Sequence, residues 1–410
     1  MRLLLVALGV FTSTLAPCAT FALSHSDYVF TEIISCGDDL GDGELARVRQ
    51  PAINNRGDVV FFAKTTSGIE SIYTWRGGQF RRIVHNSSGS DFSGFGWAAS
   101  INESGLVAFT AETTSGDTGI FTTTDGSSIT TIADTAGSIE RLRLHYASNL
   151  AVGVAPSLNN SGQVAFWAKA SGEEKIFIGD GSTTREVESV SSSYSLYSRP
   201  AINDAGHVVY IQKQRYGGYG DIRYWDGTAS ETIVRSHPGA DMTPYFSFNS
   251  GRSNGDLPAL DNSGRVGFMA TASDRNSESV YLFEDNVVTQ VATNAGTAFD
   301  TFERPFLNDA GGIIFNAYLG SSSSGIFTGP DPVLNCLAKT GDTILGSVVY
   351  RPTIFRGGFN DSGHVAFDVF FNDGTPNGLF LAVPEPSAFA LLTTAVLGLL
   401  ALAYRRRKRT

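Results

Sequence analysis

The run Asn159-Asn160-Ser161-Gly162-Gln163-Val164-Ala165-Phe166 sets a tight polar turn directly against an apolar strand. With edits it recurs seven times, its glycine falling at Gly57, Gly105, Gly162, Gly206, Gly264, Gly311 and Gly363, at spacings of 48, 57, 44, 58, 47 and 52 residues. Periods of roughly 40 to 50 residues are those of four-stranded blade repeats, so the chain reads first as an internal array.

Each copy divides into four strands. The first ends at the turn, as in Arg199-Pro200-Ala201-Ile202-Asn203 and Arg304-Pro305-Phe306-Leu307-Asn308, and is expected to be short because proline suits a strand start. The turns open at Asn54, Asn102, Asn159, Asn203, Asp261, Asn308 and Asn360. Asn or Asp bonds its own backbone two residues on and glycine accepts positive φ, which together build a hairpin. The second strand is apolar at successive positions, as in Val59-Val60-Phe61, Val164-Ala165-Phe166 and Val365-Ala366-Phe367. Strand side chains alternate faces, so apolar residues at both parities require a sheet covered on both sides. A third strand (Ile72-Tyr73-Thr74-Trp75, Ile222-Arg223-Tyr224-Trp225) and a more polar fourth (Arg82-Ile83-Val84, Thr232-Ile233-Val234) complete the unit, the fourth reading as an outer edge.

Copy seven stops after its third strand at Val383, whereas the chain carries an unassigned strand at Tyr28-Val29-Phe30-Thr31-Glu32-Ile33-Ile34 ahead of the first turn. If that strand completes the last blade, every blade has four strands and two unpaired edges vanish. The expected fold is therefore an all-β, seven-bladed β-propeller over residues 27–383, closed by the N-terminal strand.

The ends point outside the cytoplasm. Residues 1–22 read as a secretory signal: Arg2 is basic, Leu3 to Val10 apolar, and small residues follow around Ala19, Ala22 and Ser24. Near Leu15-Ala16-Pro17-Cys18 a proline stands where a lipoprotein box needs a small residue. At the other end, residues 388–404 are uncharged and mostly apolar, long enough to span a bilayer, and Arg405-Arg406-Arg407-Lys408-Arg409 follows, a cluster that favours the cytoplasmic side. The formal charge is −10; without these five residues and Arg2, 24 basic residues face 40 acidic ones. A nucleic-acid surface needs the opposite sign.

Pro384-Glu385-Pro386 immediately precedes the apolar run, and the order Pro-Glu-Pro, apolar helix, arginine cluster resembles the PEP-CTERM sorting signal of Gram-negative bacteria. That resemblance implies a sorting segment over 384–410, handling by an exosortase after secretion, and release or transfer from the inner membrane to the envelope. The tandem Asn-x-x-Gly-x-Val/Ala-Phe copies joined to this C-terminus are similar to exported NxxGxxAF tandem-repeat proteins. Copy five departs with Asp261 and Gly267, and copy four with Val209-Tyr210. The likeness implies export and a repeat fold, and no activity.

With strands alternating in direction, the Asn-x-x-Gly turns share one rim, and the length differences between copies are expected on the opposite one, around Gly137 to Tyr146 and His237 to Asp256. That second rim, with Tyr194, Tyr197, Tyr216, Tyr219, Tyr245, Phe246 and Phe248, is the expected ligand-binding face, since loops on a rigid scaffold commonly carry binding. The bland reading of these aromatics is packing over blade ends. Asp38, Asp39, Asp42 and Glu44 hold enough oxygens for calcium but lack regular loop spacing, so no cofactor is expected and a solvated turn is the simpler reading. Cys36 and Cys336 could pair or could be two small buried hydrophobes. Neither a Gly-x-Ser-x-Gly elbow, a His-Glu-x-x-His pair nor a phosphate loop is present, and no catalytic residue is assigned. The expected role is a non-enzymatic exported repeat protein that contacts extracellular polysaccharide or surface protein, with a polysaccharide-acting hydrolase or lyase as the alternative.

Overall fold

The computed structural model describes residues 25–142, 155–190, 194–196, 199–214, 220–235, 246–247, 257–272 and 277–385. Residues 1–22, expected to be a secretory segment, the apolar run 388–404 and Pro386 lie outside these residues. Among the described residues no helix is long and apolar enough to cross a membrane.

Seven antiparallel sheets make up the fold, six of them with their strands in chain order from the axis outward. Blade one is representative: Leu45–Ile53, Val59–Thr65, Glu70–Arg76 and Gln79–His85. In blade seven the order is Ser347–Phe359, Val365–Phe371, Gly378–Pro384 and then Tyr28–Ser35. The N-terminal strand thus supplies the outer edge, pairing from Tyr28 opposite Pro384 to Ser35 opposite Gly378. The propeller is closed as the unassigned strand required.

Seven apolar layers fill the seven seams between blades, and the second strands explain why their sequence is apolar at both parities. Val60 and Phe62 pack toward blade two, while Val59, Phe61 and Ala63 pack toward blade seven. The motif aromatic is buried in every copy (Phe61, Phe109, Phe166, Tyr210, Phe268, Phe315, Phe367). In six blades it packs on an aromatic directly across the ladder, as with Phe61 and Tyr73 at 5.8 Å or Phe166 and Phe177 at 5.5 Å. Blade four places Arg223 opposite Tyr210 instead, and the Tyr210 hydroxyl donates to Glu188 at 2.7 Å.

The turn asparagines do more than shape hairpins. In all seven copies the side-chain Oδ1 accepts the amide N–H four residues on, as in Asn54 from Asp58 at 2.9 Å, Asn102 from Leu106 at 3.0 Å and Asn360 from His364 at 2.9 Å. The turn glycines hold φ between 77° and 96°. The other end of the carboxamide crosses the seam: Asn54 Nδ2 donates to the Asn102 carbonyl at 3.1 Å, Asn102 to Asn159, Asn159 to Asn203 and Asn203 to Asp261. Asn308 likewise donates to Asn360 at 2.8 Å, and Asn360 closes the circle on Asn54 at 3.0 Å. Asp261 has no N–H to give, and Arg265 takes its place: Nε donates to Asp261 Oδ2 at 2.6 Å while Nη2 reaches the Asn308 carbonyl at 3.3 Å. These side chains are buried, where an unmet polar group is costly.

Two expectations need correction. In blade four the strand after Arg199-Pro200 is short as expected, Ala201–Ile202, but in other blades the first strand is longer: it spans Leu45–Ile53 in blade one, Phe92–Ile101 in blade two and Ser347–Phe359 in blade seven. It runs past its proline by way of a bulge, between Arg49 and Ala52 or between Phe302 and Pro305. The added length of copy three, and part of that in copy five, also enters within this strand. In blade three both Ile139–Leu142 and Ser157–Leu158 pair with Val164–Ala170; in blade five Phe246–Ser247 and Ala259–Leu260 both pair with Val266–Ala272.

Cys36 and Cys336 are free thiols. Cys336 lies in the apolar layer between blades five and six, where burial pushes its thiol up to about 12.

Because the crossing donor is the amide, Asn102→Asp should lower stability by ~2 kcal/mol, leaving a carbonyl unmet and setting a carboxylate against it. Arg265→Ala should be destabilising, and adding Asp261→Asn should restore about 1 kcal/mol by returning the missing donor. Thermal melts of the three variants and the parent check this; a double variant no more stable than Arg265→Ala would show that the seam bond contributes nothing.

Candidate functional site

The repeat register stacks side chains in layers along the propeller axis. At the mouth stand the residues after each turn asparagine: Asn55, Glu103, Asn160, Asp204, Asn262, Asp309 and Asp361. Each backbone N–H donates to the next blade's side chain, from Asn55 to Glu103 at 2.9 Å around to Asp361 and Asn55 at 2.8 Å, a second closed circle. The mouth is a cavity of about 200 Å³. Burial raises the Asp309 carboxyl above its ordinary range, and Asp361, Asp261 and Asp204 add to it by repulsion.

Below the mouth the residues before each asparagine form an apolar collar: Ile53, Ile101, Leu158, Ile202, Leu260, Leu307 and Phe359. Beyond the collar lies a further cavity of about 180 Å³, lined by Ser100, Ser157, Pro258, Phe306 and Arg356 among others.

The next layer is where the first strands break. Four residues before each turn asparagine stand Gln50, Ala98, Ala155, Arg199, Leu257, Arg304 and Arg356, three of them arginine. Arg356 reaches from blade seven across the axis to donate to the Pro200 carbonyl of blade four at 3.0 Å. Arg199, Pro200 and Arg356 border one small cleft there. Arg304 is 9% exposed. Burial lowers the pKa of Arg304, and burial with repulsion from Arg304 brings Arg356 down to about 10.

The Gln50 position of this layer carries strain and a buried acid. Gln50 has φ 51°, and its N–H donates to Asp368 Oδ1 at 3.0 Å across the seam between blades one and seven. Asp368 Oδ2 has no hydrogen-bond partner, and the Arg49 guanidinium stands 3.6 Å away. Desolvation outweighs that attraction and pushes the carboxyl up to about 7.

The sequence-derived candidates fall differently. Tyr194 belongs to a strand, Tyr194–Leu196, paired with Lys213 and its neighbours in blade four, and so is not a loop residue; Phe246 is likewise in a strand. Tyr197, Tyr216, Tyr219, Tyr245 and Phe248 lie outside the described residues. In the acidic run the carboxylates are occupied locally: Asp38 accepts the Ser35 N–H, Asp39 those of Gly41 and Gly43, and Asp42 accepts from Tyr73 and pairs with Arg82. Among the described residues no group of three or more His, Cys, Asp or Glu could hold a metal ion. Pro384 ends blade seven's third strand, and the Glu385 N–H donates to the Asp27 carbonyl at 2.8 Å, so the blade stops at the Pro-Glu-Pro run.

The arginine layer was the missed feature, although its signal was present: aligned on the turn, Arg199-Pro200 and Arg304-Pro305 occupy one register, and Arg356-Gly357 is a third instance.

This architecture is that of the seven-bladed β-propellers, and solved structures agree. An oligogalacturonate lyase from Vibrio parahaemolyticus matches over 88% of this chain and 98% of its own, at 10% identity and a TM-score of 0.54. An oligogalacturonate lyase in complex with manganese matches over the same shares at 9% identity and 0.52. A prolyl endopeptidase matches over 82% of this chain at 8% identity and 0.52, and this chain spans 50% of its length. At such identities the likeness concerns the fold. No curated protein matches. The chain belongs to the family of unknown function DUF7453, whose model matches residues 14–294.

Because Asp368 is protonated more readily in the folded chain than in the unfolded one, near 3.9, the folded state binds the extra proton between about pH 4 and 7. Its contribution to stability therefore falls as pH rises through that window, by on the order of 2–4 kcal/mol. His85 and His364, whose pKa values burial lowers, act in the opposite direction, so the measurement is a difference. Asp368→Asn should gain stability over the parent at pH 8 and lose that advantage at pH 4; a constant difference would contradict the assignment.

Proposed function

We propose that this propeller is an exported, non-enzymatic binding protein whose axial channel contacts extracellular polysaccharide or another surface protein at the cell envelope. The supporting observation is the break of the first strands at one level of the channel. Turns, second strands and seams repeat from blade to blade, whereas at that level the copies differ in length and residue type, and three arginines stand there. Divergence at a channel-facing layer of an otherwise repeating scaffold is the pattern of a ligand site.

In this reading residues 1–22 direct secretion, 388–404 first hold the chain at the inner membrane of a Gram-negative cell, and Pro384, Glu385 and Pro386 mark the segment an exosortase handles. The outer strand of blade seven pairs through Pro384, which is consistent with processing beyond that residue leaving the propeller intact. Fold likeness to an oligogalacturonate lyase supports a second reading, an enzyme acting on acidic polysaccharide.

Protein isolated from culture is expected to be retained on the producing cells' own matrix polysaccharide without releasing sugar from it, and to show an intact mass ending near Pro384. Sugar release would favour the lyase or hydrolase; no retention and no captured surface protein would overturn the binding reading.

A further inference from the structure

Arg304 and Arg356 each stand four residues before the turn asparagine in the first strands of adjacent blades, at the level where those strands break, and Arg356 lines the channel cavities there. Neither has a carboxylate within 4 Å among the described residues. Each guanidinium offers five N–H donors. For the pair, the hydrogen bond found to the described residues is that of Arg356 Nη1 to Pro200.

The one acid shown to act on the pair among the described residues is engaged elsewhere. Glu303, the acid that acts on Arg304, accepts from Tyr318 at 3.1 Å and lies 3.8 Å from Arg351. Two neighbouring cations, Arg304 buried and Arg356 half-buried, thus stand together with no counter-charge within 4 Å among the described residues, an arrangement that an anion would complete. Burial and mutual repulsion already favour loss of charge from Arg356.

We propose that Arg304 and Arg356 form an anion site that takes one carboxylate of an acidic saccharide entering the channel. The planar guanidinium fork matches a carboxylate in two parallel hydrogen bonds, which an ammonium cannot do. The adjoining cavity of about 180 Å³ joins apolar Pro258 and Phe306 to the hydroxyl-bearing Ser100 and Ser157, a mixed surface suited to a single sugar ring. At ~30 Å³ per water it holds the volume of about six waters. The saccharide part rests on the polysaccharide reading above; the anion site does not.

The test is the thermal midpoint of the full chain as isolated, with sodium D-glucuronate, glucose, inorganic phosphate, or sodium chloride at matched ionic strength. Glucuronate should raise the midpoint by several degrees beyond chloride, and glucose should not, since a ligand bound only by the folded state stabilises it. Arg304→Gln and Arg356→Gln should each leave the midpoint without ligand equal or higher, because repulsion is relieved, and should weaken glucuronate binding at least tenfold. Arg351→Gln, whose side chain lies outside the site, should keep the full response.

Arginines serving only the fold would behave oppositely: both glutamine variants would melt lower without ligand, or fail to fold, and that result overturns the site. An undiminished glucuronate response in both variants overturns it as well. A larger shift with phosphate than with glucuronate would reject the carboxylate as the group bound. If glucuronate binding is lost in the variants yet the parent chain retains no matrix polysaccharide, the anion site stands and the polysaccharide reading fails. Retention that survives both substitutions overturns the saccharide assignment of this site and leaves the polysaccharide reading standing.

Discussion

The structure depends on one side-chain amide used at both ends. The carbonyl of each turn asparagine accepts an N–H of its own hairpin, and its NH2 donates to the equivalent carbonyl of the next blade. A carboxylate performs the first task as well as an amide but cannot perform the second. Repeated around the axis, the bond turns seven local hairpins into a closed circle, and the backbone N–H of the following residue adds a second circle just above it. Closure thus occurs twice: at the outer edge, where the N-terminal strand completes blade seven, and at the axis, where the asparagines meet.

Copy five bears this out by its exception. Asp261 keeps the turn and loses the donor, and Arg265, four residues on, restores the link to Asn308 while neutralising the buried carboxylate. Read locally, Asp261 is a neutral exchange of one turn former for another. Its cost and its compensation are visible only when the neighbouring blade is in place.

Much of the fold was legible in the sequence because its determinants are local and repeated. Turn chemistry at Asn159 and Gly162, apolar residues at both parities in Val164-Ala165-Phe166 and the missing strand of copy seven led to the right blade count and the right closure. The seam-crossing role of the asparagines was not legible, since it joins residues 44 to 58 positions apart, and 306 positions at the closure. Nor was the course of the first strand in blade six: Pro305 looked like a strand start, yet a bulge carries the ladder past it. A strand beginning at its proline would leave Arg304 in a blade-to-blade loop; the bulge keeps it within the strand instead. The candidate site followed the same logic, because Arg199, Arg304 and Arg356 are unremarkable singly and become a cluster only when seven registers are superposed on one axis.

The channel then has a consistent physical character: an acidic and amide-rich mouth, an apolar collar and a cationic layer where the copies diverge. The first two layers follow from the residues flanking the turn asparagine and belong to the closure device; the third is free to vary without breaking either hydrogen-bonded circle. The most direct measurement of the closure is native-state hydrogen exchange at the backbone amides of Asn55, Glu103, Asn160, Asp204, Asn262, Asp309 and Asp361. If the circle holds the propeller shut, all seven exchange slowly and together, at the free energy of global unfolding, although they sit in surface turns. Rapid, independent exchange at these amides, as in ordinary hairpin turns, would contradict it.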